Sequence, residues 1–133
     1  MKRRQLMMGI LAFQVAILGG MAPAIADGWE RIAERSVRLT AERDIIPVGG
    51  RKQYAYLKLR VRETGIQIMS MTVRLATGQV LNPPLRSYIA KDGESRVIDI
   101  PGRDRAITSV TLVYKSRPGS RERAIVQLYG KTR

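Results

Sequence analysis

Hydrophobic and polar residues alternate with a period of two over most of this chain, the pattern of strands that lay one face on a core and show the other to solvent. It is clearest from Tyr54 to Arg62. There Ala55, Leu57, Leu59 and Val61 fall on one face, and Tyr54, Tyr56, Lys58, Arg60 and Arg62 on the other. Glu63-Thr64-Gly65 reads as a tight turn into Ile66 to Leu75, where Met69, Met71, Val73 and Leu75 alternate. Together the two runs predict a β-hairpin.

Later segments repeat the pattern. Ser95 to Ile100 reads as a short strand entered through Asp92-Gly93 and closed by Pro101-Gly102. Thr108 to Lys115 alternates with Val110, Leu112 and Tyr114 on one face, and Arg123 to Lys131 with Ala124, Val126 and Leu128 inward. Between them, Arg117-Pro118-Gly119-Ser120 has proline and glycine at the central positions a type II turn prefers. Asn82-Pro83-Pro84 marks a loop or sheet crossing, because two prolines remove two ladder donors. Trp29, Ile32, Ala33 and Val37 sit at helical spacing, while Val37 and Leu39 open an alternating stretch towards Ile45 and Ile46. The reading here is a strand from about Ser36, preceded by an irregular arm. Such short strands and frequent turn signals predict an all-β fold, an antiparallel β-sandwich or barrel of about six to eight strands.

The first 26 residues follow a different rule. Lys2, Arg3 and Arg4 precede an apolar run from Leu6 to Met21, Pro23 breaks it, and Ala24-Ile25-Ala26 puts small residues before a cut between Ala26 and Asp27. This is the anatomy of a secretory signal peptide, whose helix would precede the fold; an uncleaved membrane anchor is the alternative. The run is shorter than the ~20 apolar residues of a spanning helix. Residues 27–133 then form a single β domain, exported to a periplasmic or extracellular space, with no membrane span after cleavage.

Composition narrows the chemistry. The chain has 133 residues, 24 basic and 11 acidic side chains, and neither cysteine nor histidine. No imidazole shuttle, thiol nucleophile, disulfide or His/Cys-ligated metal can be built from it. No cofactor motif is present, and Val48-Gly49-Gly50-Arg51 reads as a turn rather than a phosphate loop. The acids are scattered, so no calcium loop is expected. Glu63 and Glu94 could be put forward as a glycosidase pair, but nothing in their spacing selects them. No catalytic residues are therefore expected, though carboxylate or Ser/Lys hydrolysis stays chemically open.

Once the three basic residues of the leader are set aside, the remaining chain carries a net charge of +10. Part of that charge lies on the polar faces of two strands: Tyr54, Tyr56, Lys58, Arg60 and Arg62 on one, Arg123, Tyr129 and Lys131 on the other. If those strands are neighbours, cations and tyrosines interleave on one surface. Arginine forks suit phosphate and carboxylate, and aromatic rings stack on sugars, bases or guanidinium planes. Against this stands the ordinary fact that a half-exposed sheet face is polar. The expected partner is an anionic envelope polymer or an acidic protein, with nucleic acid bound only non-specifically. The alternative is a structural or assembly component of the envelope whose charge serves solubility.

Several stretches carry a family likeness: Arg43-Asp44-Ile45-Ile46-Pro47-Val48-Gly49, Gly93-Glu94-Ser95-Arg96-Val97-Ile98-Asp99-Ile100-Pro101-Gly102, Arg105-Ala106-Ile107, and Tyr114-Lys115-Ser116-Arg117-Pro118-Gly119. From about Trp29 to Gly130 the chain resembles small exported bacterial proteins of a domain-of-unknown-function family, distantly YaaI-like. The resemblance implies an exported, mainly β domain and brings no catalytic residues; the cysteines of the YaaI-like branch have no counterpart here. Arg43-Asp44 and Asp104-Arg105 suggest ion pairs between chain neighbours in loops.

Overall fold

A computed structural model describes residues 25–26, 28–49, 52–102 and 104–133. The expected leader helix and the Asp27 side of the cleavage point lie outside the described residues. The strands are β1 (Ile25–Ala26), β2 (Trp29–Arg38), β3 (Arg43–Pro47), β4 (Gln53–Tyr54), β5 (Tyr56–Arg62), β6 (Ile66–Leu75), β7 (Val80–Leu81), β8 (Ser87–Ile89), β9 (Ile98–Asp99), β10 (Arg105–Tyr114) and β11 (Arg123–Lys131). Six of them have five residues or more and carry the architecture.

All pairings are antiparallel and form two sheets. The first runs β9-β5-β11-β2-β1; the second runs β3-β10-β6-β7, with β4 also on β10 and β8 also on β6. They stack as a sandwich rather than closing into a barrel. One continuous core lies between them, joining Leu57, Leu59 and Val61 of the first sheet to Ile68, Met71 and Val73 of the second. Alternation put all of these side chains but Ile68 on the buried faces, and their burial holds the sheets together.

Several expectations change. The runs on either side of Glu63-Thr64-Gly65 are not a hairpin: β5 pairs with β11 and β9, whereas β6 pairs with β10, β7 and β8. The Thr64 amide bonds to the Arg62 carbonyl at 2.9 Å, and Glu63 takes a φ of 73°. That tight reversal sends the chain across the core, because both runs have a strongly apolar face and each is buried best by facing the other. The alternation within β6 also slips. Val113 lies opposite Ser70 and Tyr114 opposite Ile68, so the extra residue Met69 is bulged outward, while Ile66, Ile68 and Met71 are buried. Finally, the segment before Val37 is neither helix nor irregular arm but part of the ten-residue strand β2. Leu128 lies opposite Ala33 and Tyr129 opposite Arg31, so Ile32 is an inserted bulge residue. That insertion turned a period of two into something resembling helical spacing.

Other turns are as read. The Ser120 amide bonds to the Arg117 carbonyl at 3.1 Å with Gly119 at φ 80°, the geometry of a type II turn. Asn82-Pro83-Pro84 is loop. The expected Ser95–Ile100 strand is shortened to β9 because Arg96-Val97 bulge away from β5. Glu94 still bridges Arg60, and the Leu59 amide donates to the Ser95 hydroxyl at 2.9 Å.

Candidate functional site

The outer face of the first sheet brings the predicted cations together. β5 and β11 are neighbours, with Tyr56 opposite Lys131, Lys58 opposite Tyr129, Arg60 opposite Gln127 and Arg62 opposite Ile125. Paired residues on an antiparallel ladder share a face, so two strands deliver one field of alternating cations and rings. Arg123 lies on the same face beyond the end of β5, opposite Arg38, and donates to the Ser36 hydroxyl at 3.3 Å.

Tyr54 is the exception. Expected on this face, it is instead 3% exposed in the core. The chain changes sheet at Ala55: Gln53–Tyr54 pair with β10 of the second sheet, whereas Tyr56 onward belongs to the first. The Ala55 amide bonds to the Lys131 carbonyl at 2.9 Å, and both Tyr54 and Ala55 are buried at this corner. Burial, followed by the Glu30 carboxylate with which it hydrogen-bonds, pushes the Tyr54 phenol up to about 12.

The face is also less free than a list of cations suggests. Lys58 Nζ lies 3.2 Å from Glu94, Arg62 Nε 3.0 Å from Asp92, and Arg133 3.2 Å from Asp99. The expected pairs between chain neighbours do not form. Asp44 engages Arg35 of β2 at 2.7 Å, and Asp104 accepts the Arg133 backbone amide at 3.1 Å. Glu63 sits in the crossing turn and Glu94 is engaged by Lys58. Arg60 stands apart: it makes no ion pair among the described residues, and its Nε is buried without a hydrogen-bond partner. Beside it Gln127, only 5% exposed, donates to Glu34 at 2.8 Å.

Residues outside the predicted set complete the surface. Trp29 projects from β2 onto it, with Lys58 Nζ 4.6 Å and Lys131 Nζ 5.8 Å from its ring centroid. Arg133 lies 4.9 Å from the Tyr56 ring centroid and donates to the Tyr56 hydroxyl at 3.0 Å. Trp29 could not be placed from its own stretch because the bulge hid the strand period. Among the described residues no group of three or more acidic side chains is placed to hold a metal ion, and no helix is long and apolar enough to cross a membrane.

With this geometry in view, the chain belongs to the DUF2541 family, a domain of unknown function, whose model matches residues 6–130. Among solved structures, AlgX of Pseudomonas aeruginosa is similar over 78% of this chain and 27% of its own, at 10% identity and a TM-score of 0.47. The chain thus spans about a quarter of that protein's length, and a likeness at this level carries no functional argument. Comparison with curated proteins finds none that matches.

Proposed function

We propose that this protein is an exported, non-enzymatic β-sandwich that holds an anionic partner on the outer face of its first sheet. The observation that carries the reading is the β5–β11 register, which interleaves Tyr56, Lys58, Arg60 and Arg62 with Tyr129 and Lys131 on one surface. Arg60 is the natural centre, since of the three cations on β5 it alone is left without an ion pair among the described residues, Lys58 and Arg62 being engaged by Glu94 and Asp92. Export rests on the leader pattern of residues 1–26.

Two measurements test it. Arg60→Glu/Arg62→Glu should abolish retention on immobilised polygalacturonate at low salt, and unchanged retention rejects this face. Mass spectrometry of the exported protein should give an amino terminus at Asp27; an intact Met1 rejects cleavage. A second reading has support from the pairs Lys58–Glu94, Arg62–Asp92 and Arg133–Asp99, which neutralise part of the surface. On that reading the protein is an envelope assembly component whose charge serves solubility. It predicts a stable protein complex insensitive to salt.

A further inference from the structure

The bulge at Ile32 decides where the chain's single tryptophan points. Side chains alternate along a strand, so one inserted residue reverses the facing of everything before it. Glu30 is thereby turned to the core end, where it meets the Tyr54 hydroxyl, and Trp29 is turned out onto the first sheet. Without the insertion Trp29 would face inward, where the Tyr54 ring already fills the space beneath Gly130.

The ladders then set three strands abreast. Tyr56 is opposite Lys131, and Gly130 is opposite Glu30, so Tyr56, Lys131 and Trp29 follow one another across the sheet. The backbone leaves room for this row: a Cβ at Gly28 would lie 3.1 Å from Lys131 Cε, and Gly28 has a φ of 82°. The row therefore reads ring, ammonium, ring, with Lys58 reaching the same indole from the adjacent row.

We propose that the Trp29 end of this face is a subsite for a carboxylated polysaccharide. The inference rests on the reading of the face as an anion-binding surface and adds the class of ligand. Ring faces attract polarised C–H groups and cations, so an indole or phenol suits the apolar face of a pyranose while an ammonium takes its carboxylate. Tyr56 and Trp29 are separated by two strand spacings, roughly 10 Å, matching the advance of two sugar units in an extended polymer. One ring then meets each alternate unit, with Lys131 between them. In the free protein the Lys58 and Lys131 ammonium groups cover the Trp29 ring and the Arg133 guanidinium covers that of Tyr56; on binding they move to the carboxylates as the sugars take the ring faces. A polyphosphate would use the lysines and leave the rings idle, and a neutral glucan would do the reverse.

Because Trp29 is the only tryptophan, its fluorescence reports this subsite directly. Titration with polygalacturonate should give a saturable emission change that neutral dextran and inorganic polyphosphate do not reproduce. In affinity electrophoresis through polygalacturonate, Trp29→Ala should bind roughly tenfold more weakly or worse, and Trp29→Phe should keep most of the affinity. Lys131→Gln, at a half-buried side chain that makes no ion pair among the described residues, should weaken binding with little change in thermal midpoint, which keeps the test sharp if Trp29→Ala folds poorly. Polyphosphate binding as tightly as polygalacturonate, or a folded Trp29→Ala binding like the parent, overturns the saccharide assignment. If Arg60→Glu/Arg62→Glu alone abolishes retention, the face stands and this subsite falls. If the parent binds neither polyanion, the reading of the face falls with it.

Discussion

The ring of Tyr54 occupies the space a side chain at position 130 would need: a Cβ on Gly130 would lie 2.6 Å from Tyr54 Cδ1. Gly130 is thus held by a neighbour 76 positions away in the chain, where the core reaches its corner at Ala55. Gly130→Ala should destabilise the fold by about 1–3 kcal/mol through overpacking. Urea denaturation measures this, and the cost should shrink in a Tyr54→Leu background. Equal costs in both backgrounds would show that the ring is not the obstacle.

Leu59 is wholly buried in the middle of β5, whereas Ile45 of the edge strand β3 is 52% exposed. Leu59→Ala should cost about 2–5 kcal/mol, and Ile45→Ala within about 0.5 kcal/mol of nothing. The reverse order in chemical denaturation would mean that the two faces are assigned backwards.

Asp44 ties the two sheets together. Its carboxylate sits 2.7 Å from Arg35 Nε on β2 of the first sheet and 3.4 Å from the Tyr114 hydroxyl of the second. The Arg35 side chain is 46% exposed, so solvent screens the pair and Arg35→Ala should cost only about 1 kcal/mol. Asp44→Ala should cost more, since it also removes one of the two acceptors of the buried phenol, leaving only the Arg38 carbonyl at 3.2 Å. A double-mutant cycle that finds no coupling between Arg35 and Asp44 would dismiss the clamp.

Alkaline pH should expose the two buried phenols. Tyr54 and Tyr114 are each pushed from 10.0 up to about 12, chiefly by burial and then by facing carboxylates, Glu30 for the first and Asp44 for the second; Arg35 opposes the rise at Tyr114. Folding therefore holds both protons longer than the unfolded chain does. The stability these phenols contribute is complete below about pH 10 and is lost as pH rises through about 12. Phenolate absorbance should show a late-ionising class that Tyr54→Phe and Tyr114→Phe each reduce. Its persistence in the double variant would refute the assignment.

If the outer face binds anions, removing a carboxylate from it should strengthen retention. Glu94→Gln frees Lys58 from its 3.2 Å partner and raises the local charge by one. Elution from polygalacturonate should then need more salt. An unshifted elution would favour the assembly reading, in which these charges are already spent on one another.

Much of the fold was legible locally. A strand's two faces are set by neighbours two residues apart, so Leu57, Leu59 and Val61 could be placed in a core, and Lys58, Arg60 and Arg62 outside it, without knowing any partner. Residues 117–120 declared their turn because proline fixes φ and glycine accepts its positive value. What misled was a count broken by one. The inserted Ile32 disguised the part of the strand before Ser36, and the Met69 bulge put one of the predicted inward residues outside.

Residue order and composition already make this chain a β domain with opposed apolar and cationic strand faces, built without cysteine or histidine. These properties depend on composition and period, which the chain carries at every point. Which strands lie side by side, the inward turn of Tyr54 at a sheet-switching corner and the place of Trp29 on the cationic face emerge with the packed fold. Pairing and sheet membership are settled by contacts between residues far apart in the chain, where the burial of both apolar faces at once selects among locally equivalent arrangements.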